Sequence, residues 1–125
     1  MLNCIIVGIG GFIGTVCRYL IGLIPVEETS GFPFKTFAIN IIGCFVIGVI
    51  TAFALQDEKL DPQLVLLIKV GICGGFTTFS SFAYESIDLM GNGQTPMALL
   101  YICSSVVIGI LAVFAAQMLV QSIAN

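Results

Sequence analysis

Four long apolar stretches dominate the chain and leave it with very little polar surface. They run over residues 2–24, 36–55, 63–89 and 97–120. A helix that spans a membrane needs about 20 consecutive, mostly apolar residues, and each stretch reaches that length. Of the 125 residues, 58% are hydrophobic and 9% are charged, which is too little charge to cover a soluble globule of this size. We therefore expect an all-α membrane protein with four transmembrane helices in a single domain over residues 1–125.

Prolines mark the limits of these stretches, because none lies deep inside one. They are Pro25, Pro33, Pro62 and Pro96. Proline disrupts a helix interior but is tolerated in the first turn. Asp61 and Thr95 each precede a proline, a pattern typical of an N-cap residue followed by the first helical position. The first stretch lacks the basic start and cleavage site of a signal peptide, so we expect it to remain in the protein.

Basic residues do not set an orientation for the four helices. Lys and Arg are normally in excess on the cytoplasmic side. Arg18 and Lys35 belong to one side of the membrane, and Lys59 and Lys69 belong to the other. Such a balance arises by chance in a chain with few charges, or because the protein inserts both ways and pairs as an antiparallel dimer. We expect pairing on separate grounds, because four short helices leave little room for a pathway that an interface can supply.

The residue types argue against an enzyme. The chain has no histidine, and its sequence contains no nucleophile–base set and no phosphate-binding loop. Five cysteines lie within the apolar stretches without metal-ligand or redox spacing, so we interpret them as small packing residues. We expect neither catalysis nor a nucleic-acid partner.

Small and polar residues form a stripe along the second stretch, at every fourth position. They are Thr36, Asn40, Cys44, Gly48 and Ala52. This spacing places them on one helical face, which suits either close helix packing or the lining of a pathway. The fourth stretch repeats the pattern with Tyr101, Ser105 and Gly109, where packing is favoured because serine can bond to its own helix backbone.

The third stretch contains the sequence GGFTTFSSF over residues 74–82. Adjacent glycines followed by adjacent threonines make a poor continuous helix and predict a break in mid-membrane. The backbone groups freed by a break need partners. Phe79 and Phe82 lie three residues apart, with Glu85 a further three along. Phenyl ring edges carry partial positive charge, so with the hydroxyls of Thr78 and Ser81 they can solvate a dehydrated halide without a fixed cation.

Three motifs resemble those of the Fluc/CrcB family of fluoride channels. They are GGFIGTVCRY at residues 10–19, NIIGCF at 40–45 and GGFTTFSSF at 74–82. Order, spacing and the four-span layout agree over essentially the whole chain, and the third motif is the most specific. The resemblance implies a dual-topology, antiparallel homodimer in the bacterial inner membrane. Its two pores would let fluoride leak passively out of the cytoplasm.

The resemblance also implies roles for individual residues. Those expected at the pore are Asn40, Phe79, Phe82, Glu85, Tyr101 and Ser105, with Arg18 near the vestibule. Arg18 has a second interpretation, as an anchor that reaches the lipid headgroups. The backbone carbonyls of Gly74 and Thr77 match those that hold a structural sodium ion on the dimer axis. Gly109 stands where some relatives carry a hydroxyl, which leaves the length of the fourth-helix polar track open.

Two other classes of membrane protein compete with a channel. A small multidrug exporter has a similar length and span number, but it needs a carboxylate in its first helix, where this chain has none. A non-transporting assembly subunit would account for the glycines. It would leave Asn40 and the polar cluster of the third stretch without a purpose.

Overall fold

The computed structural model describes residues 1–25, 31–56 and 60–124, and every regular element in these ranges is a helix. Lys59, one of the basic residues counted above, lies outside the described residues. The elements are α1 (Leu2–Gly22), α2 (Phe34–Gln56), α3 (Pro62–Leu66), a π-helical segment (Leu67–Ile72), α4 (Cys73–Phe76), α5 (Phe79–Gly91) and α6 (Thr95–Ala124). The third span, Pro62–Gly91, comprises α3, the π-helical segment, α4 and α5.

Four helices in this structure are long and apolar enough to cross a membrane, which confirms that part of the prediction. Their bounds lie close to the predicted ones except at the end of α6, which continues to Ala124 instead of ending at 120. Helical backbone extends here past the apolar stretch into polar residues such as Ser122, which hydropathy alone does not reveal. The helix α6 is therefore longer than the apolar stretch from which the span was predicted.

Helix ends are satisfied by nearby polar groups. Asp61 is the N-cap of α3, as predicted, and its Oδ1 accepts a hydrogen bond from the Gln63 amide at 2.8 Å. Thr95 is not the N-cap of α6, contrary to the prediction. The helix begins at Thr95 itself, and the Ala98 amide donates to the carbonyl of the residue before it, Gln94. Lys35 Nζ donates to the Gly22 carbonyl at 3.1 Å and so satisfies the end of α1.

Glycines let α1 approach the third span until the two backbones touch. A Cβ on Gly10 would lie 2.8 Å from the Cα of Gly71, and a Cβ on Gly75 would lie 3.0 Å from the Cα of Gly11. These distances are shorter than side-chain carbons tolerate, so only glycine fits. Helix interfaces in membranes commonly use small residues in this way. The second major contact in the bundle is between α2 and α6.

Most of the apolar surface of the bundle is not covered by the chain itself. The buried share of the most apolar window is 11%, 28%, 17% and 17% in the four spans, in chain order. A compact buried cluster lies where α5 and α6 meet the start of α2, and it contains Phe32, Leu89, Ala98 and Tyr101. The remaining apolar faces suit a surface that contacts lipid or another protein in a membrane.

Candidate functional site

The third span is interrupted at two residues, Thr77 and Thr78, between α4 and α5. Thr77 has φ −75° and ψ 158°, and Thr78 has φ −148° and ψ 114°, so both have extended backbone. An uninterrupted helix would join each amide to the carbonyl four residues earlier. Here that pattern stops at the end of α4 and starts again at Phe79.

Asn40 of α2 satisfies both backbone polar groups of Thr78. Its Nδ2 donates to the Thr78 carbonyl at 3.1 Å, and its Oδ1 accepts from the Thr78 amide at 2.8 Å. The side-chain amide thus takes the place of the helical partners that Thr78 lacks. The sequence left Asn40 open between packing and pathway lining, and the structure gives it a definite bonding role at the interruption.

Hydroxyl groups satisfy other backbone groups near the interruption. Thr77 Oγ1 donates to the Cys73 carbonyl at 2.8 Å, and Thr15 Oγ1 of α1 donates to the Gly75 carbonyl at 3.4 Å. Thr78 Oγ1 accepts from the Ser81 amide at 3.2 Å and is the N-cap of α5. Three helices therefore contribute to holding the extended segment in place.

The carbonyls of Gly74 and Thr77 lose their helical donors at this point. In a continuous helix they would accept from the amides of Thr78 and Ser81. Those amides donate instead to Asn40 and to the Thr78 hydroxyl. Gly74 is also exposed, and a Cβ built on it would meet no atom of the described chain within 4 Å.

A second polar cluster joins three helices through Glu85. Thr36 Oγ1 donates to one carboxylate oxygen at 2.6 Å, and the Tyr101 hydroxyl donates to the other at 2.7 Å. Thr36 is 7% exposed and Tyr101 is fully buried. Hydrogen bonds to a charged group are the stronger kind, so this cluster fixes α2, α5 and α6 relative to one another.

The two phenylalanines of the third span are close to each other but differ in their surroundings. Their ring centroids are 5.7 Å apart with an interplanar angle of 46°. Phe82 packs edge-on against Tyr101, with centroids 5.1 Å apart. Phe79 is 80% exposed on the surface of the chain. Phe82 therefore joins the Glu85 cluster, whereas Phe79 faces outward from the protomer.

Two cavities flank the interruption. The first has a volume of about 530 Å³, and the predicted residues that line it are Arg18, Thr78, Ser81 and Glu85. Lys35, Thr36 and Asp88 line it as well, so it carries two basic and two acidic side chains. The second has a volume of about 300 Å³, and the predicted residues that line it are Asn40, Gly74, Thr77, Thr78 and Phe79. Three predicted pore residues are absent from the residues that line these two cavities: Phe82, Tyr101 and Ser105.

Ser81 and Ser105 each carry a hydroxyl hydrogen that could be donated to an anion. Thr78 Oγ1 donates to Ser81 Oγ at 3.0 Å, so the Ser81 hydrogen remains free to point into the first cavity. Ser105 Oγ is buried and has no hydrogen-bond partner among the described residues. An unpaired buried hydroxyl is unusual and marks a position where a ligand or water could bind.

The sequence did not predict three residues that donate hydrogen bonds to the Glu85 carboxylate, to the backbone near the interruption and to the end of α1. Thr36 was identified only as part of the small-residue stripe of α2, although its place one turn before Asn40 put it on the same face. Thr15 was noted only within the first glycine motif, and Lys35 only as a loop charge. Each acts on a residue far away in the chain, and the sequence contains no local signal for such contacts.

Comparison with known proteins assigns the chain to a family. A family model described as "CrcB-like protein, Camphor Resistance (CrcB)" matches residues 5–117. The fluoride-specific ion channel FluC of Chlorobaculum tepidum is 44% identical over 121 residues, which cover 97% of this chain and 96% of the relative. The protein of the same name from Rhizobium meliloti is 37% identical over 123 residues, 98% of both chains. With a match of this extent and identity, the chain belongs to the CrcB family.

Proposed function

We propose that this chain is a fluoride-selective channel that lets fluoride leave the cell passively. Its relatives are named fluoride-specific ion channels, and the similarity covers nearly the whole chain. Four apolar helices make it a multi-pass membrane protein. The naming of the relatives also agrees with the expectation that the chain is not an enzyme. The drug-exporter alternative lacks support, because α1 contains no acidic residue.

The observation that carries this proposal is the interrupted third span and the polar groups around it. A dehydrated fluoride ion needs hydrogen-bond donors that replace its water shell. Ser81 offers an uncommitted hydroxyl hydrogen next to the interruption, and Asn40 keeps a second amide hydrogen beyond the one given to Thr78. Such neutral donors bind an anion weakly enough for it to leave again.

Aromatic edges complete the proposed solvation of the ion. Phe79 and Phe82 lie on the first turn of α5, directly after the interruption. Their ring edges are partially positive and attract an anion without a fixed cation. Arg18, which lines the first cavity, raises the local concentration of anions there.

Glu85 controls which hydroxyls are available to the ion. The hydroxyl hydrogens of Thr36 and Tyr101 both point to its carboxylate. Fluoride that moves along α6 competes with the carboxylate for the Tyr101 hydrogen. Ser104 follows on that helix but donates to the Tyr101 carbonyl, whereas Ser105, one turn beyond Tyr101, has no partner of its own among the described residues. We place Tyr101 and Ser105 in the same path for this reason.

The pore itself is proposed to form between two copies of the chain in antiparallel orientation. Phe79, 80% exposed, and the exposed Gly74 lie on a face that the protomer leaves uncovered. A second copy would cover this face and bring two interruptions together. Balanced basic charge on the two sides of the membrane is compatible with insertion in both orientations.

Sodium is the ion that best fits between two such interruptions. Each chain contributes the carbonyls of Gly74 and Thr77, whose helical donors are bonded elsewhere. Oxygen ligands of this kind suit a hard cation, and the bound ion would supply positive charge that offsets the repulsion of facing carbonyls. The residues present therefore fit a structural sodium ion on the axis of the dimer.

Fluoride efflux from liposomes tests the proposal directly. Purified protein is reconstituted into vesicles loaded with potassium fluoride or potassium chloride, and efflux is started with valinomycin and followed with ion-selective electrodes. We expect rapid loss of fluoride and almost no loss of chloride, with protein-free vesicles as the control. Equal rates for the two ions would contradict a fluoride-selective channel, and no efflux of either would contradict a channel.

A further inference from the structure

Two cysteines, Cys44 of α2 and Cys73 of α4, lie beside the interruption. Neighbouring spans run antiparallel, and Asn40 is bonded to Thr78. One turn along α2 from Asn40 is Cys44. One turn back from Thr77 is Cys73, whose carbonyl accepts the Thr77 hydroxyl at 2.8 Å. Both thiols line the second cavity, although the two residues are far apart in the sequence.

These two cysteines differ from the other three in their surroundings. Cys73 is 4% exposed and Cys44 is partly buried. A Cβ built on Gly109 would lie 3.4 Å from Cys44 Sγ, so α6 closes the cavity behind this thiol. Cys4, Cys17 and Cys103 are exposed on the outer surface of the helices. Of the five cysteines, only Cys44 and Cys73 therefore line the second cavity.

We propose that Cys44 and Cys73 form a binding site for one soft monovalent cation, of the class of Ag⁺ and Cu⁺. Thiolates prefer soft metals. Zinc requires four ligands in a closed structural site, and among the described residues no group of three or more His, Cys, Asp or Glu could hold a metal. Ag⁺ and Cu⁺ accept two sulfur ligands, and two cysteines that line one cavity supply that number.

Lys69 balances the charge of this site. Each thiol releases one proton to water on binding, so two thiolates and one monovalent cation carry a net charge of −1. An unpaired charge in an apolar environment is costly. Lys69, in the π-helical segment, lines the same cavity and places an ammonium group near the anionic complex. The site therefore contains both the ligands and the counter-charge for a soft monovalent ion.

Occupancy of this site ties α2 to α4 one helical turn from the interruption. Gly43 packs against the Thr77 methyl group here, so the two helices are already in close contact. A bridging metal would fix that contact and hold Asn40 and Thr77 in one arrangement. We expect it to block fluoride passage. The blocking effect rests on the proposed channel function, whereas binding of the metal does not.

Silver binding to the purified protein tests the site independently of transport. The protein is titrated with silver nitrate in chloride-free buffer, bound silver is measured by mass spectrometry, and its ligands by X-ray absorption. Exposed thiols also bind silver, so Cys4, Cys17 and Cys103 are first replaced by serine. In this background we expect one tightly bound ion per chain with two sulfur ligands. Adding C44S or C73S should weaken binding by about 10-fold or more, the scale found when a metal-site partner is removed.

Two results would overturn the site: tight silver binding that persists when C44S and C73S are both added to this background, or no ion with two sulfur ligands in the background itself. C44A and C73A are tested beside the serine variants, each with a size-exclusion profile, so that misfolding is recognised. In liposomes, silver should slow fluoride efflux in the unaltered protein and leave the C73S or C73A variant conducting. Silver binding without any slowing would refute the block.

Discussion

Asn40 bonds to Thr78 through both ends of its side-chain amide, with Oδ1 2.8 Å from the Thr78 amide nitrogen and Nδ2 3.1 Å from the Thr78 carbonyl oxygen. The Asn40 side chain of α2 thus supplies hydrogen-bond partners that the backbone of a continuous third span would otherwise supply. Extended backbone in a membrane is tolerated only where such partners exist. The interruption of the third span therefore depends on Asn40 of α2 as well as on the residues of the third span itself.

Asn40→Leu should destabilise the protein and stop fluoride efflux. It removes both hydrogen bonds and leaves two backbone groups of Thr78 unsatisfied, at about 1–3 kcal/mol each. We expect a lower free energy of unfolding in detergent, measured by chemical denaturation, and loss of efflux from liposomes. Asn40→Asp should be intermediate, since an ionised carboxylate accepts from the Thr78 amide but cannot donate to its carbonyl.

Asn92→Leu is the matched control for this prediction. Asn92 also donates from Nδ2, to Asp88 Oδ2 at 3.2 Å, but this hydrogen bond is exposed. Exposed polar contacts contribute little to stability. Equal loss of stability in the Asn40 and Asn92 variants would contradict the special role of the Asn40–Thr78 bonds.

Tyr101→Phe should lower fluoride flux while the bundle stays folded. The substitution keeps the ring that packs against Phe82 but removes the hydroxyl bonded to Glu85 at 2.7 Å. A hydrogen bond to a charged group is worth about 1.5–3 kcal/mol, which corresponds to a drop in flux of about 10-fold or more if the hydroxyl serves the ion. Ser122→Ala, which also removes a hydroxyl, is the control, because Ser122 donates to the Leu119 carbonyl of its own helix and is not among the residues that line the two cavities. Equal flux in both variants would remove Tyr101 from the proposed path.

Residues far apart in the chain mark the limit of prediction from this sequence. Hydropathy located the four spans because the apolar length of a spanning helix is fixed by the bilayer. The adjacent glycines and adjacent threonines predicted a break near residues 74–78, because the backbone preference of a residue type can be read directly from the sequence. The Glu85 cluster was not predicted, because Glu85 is 49 residues from Thr36 and 16 from Tyr101. Only tertiary packing brings these groups together.

The two phenylalanines show a second limit of prediction from sequence, because helical spacing does not fix where each side chain lies. Residues three apart on a helix share a face but are not aligned, since a turn takes 3.6 residues. Phe82 accordingly reaches Tyr101, whereas Phe79 is turned towards the surface. The cysteines show the first limit again. Cys44 and Cys73 line one cavity but are far apart in the chain, so their spacing gave no reason to pair them.

Phe79→Ile and Phe82→Ile should each reduce fluoride flux without preventing dimer formation. Isoleucine keeps the apolar volume but lacks the positive ring edge that attracts an anion. We expect a loss of about 10-fold, measured as fluoride efflux from liposomes at equal protein content. Phe12→Ile is the control, because Phe12 of α1 is also exposed, at 72%, but lies away from the interruption. If both pore variants conduct like the Phe12 variant, the aromatic lining is wrongly assigned.

Gly75→Ala should lower the stability of the single chain, whereas Gly74→Ala should weaken only the proposed dimer, although the two glycines are adjacent. A Cβ on Gly75 would meet the backbone of Gly11, and overpacking of this kind costs about 1–3 kcal/mol, so the protomer itself should lose stability. A Cβ on Gly74 meets nothing within 4 Å in its own chain. Gly74→Ala should therefore leave the protomer folded and weaken only the proposed dimer, measured by single-molecule subunit counting in bilayers and by circular dichroism. Gly8→Ala, also without neighbours within 4 Å, is the control. A Gly74 variant that dimerises as well as the Gly8 variant would place the dimer interface elsewhere.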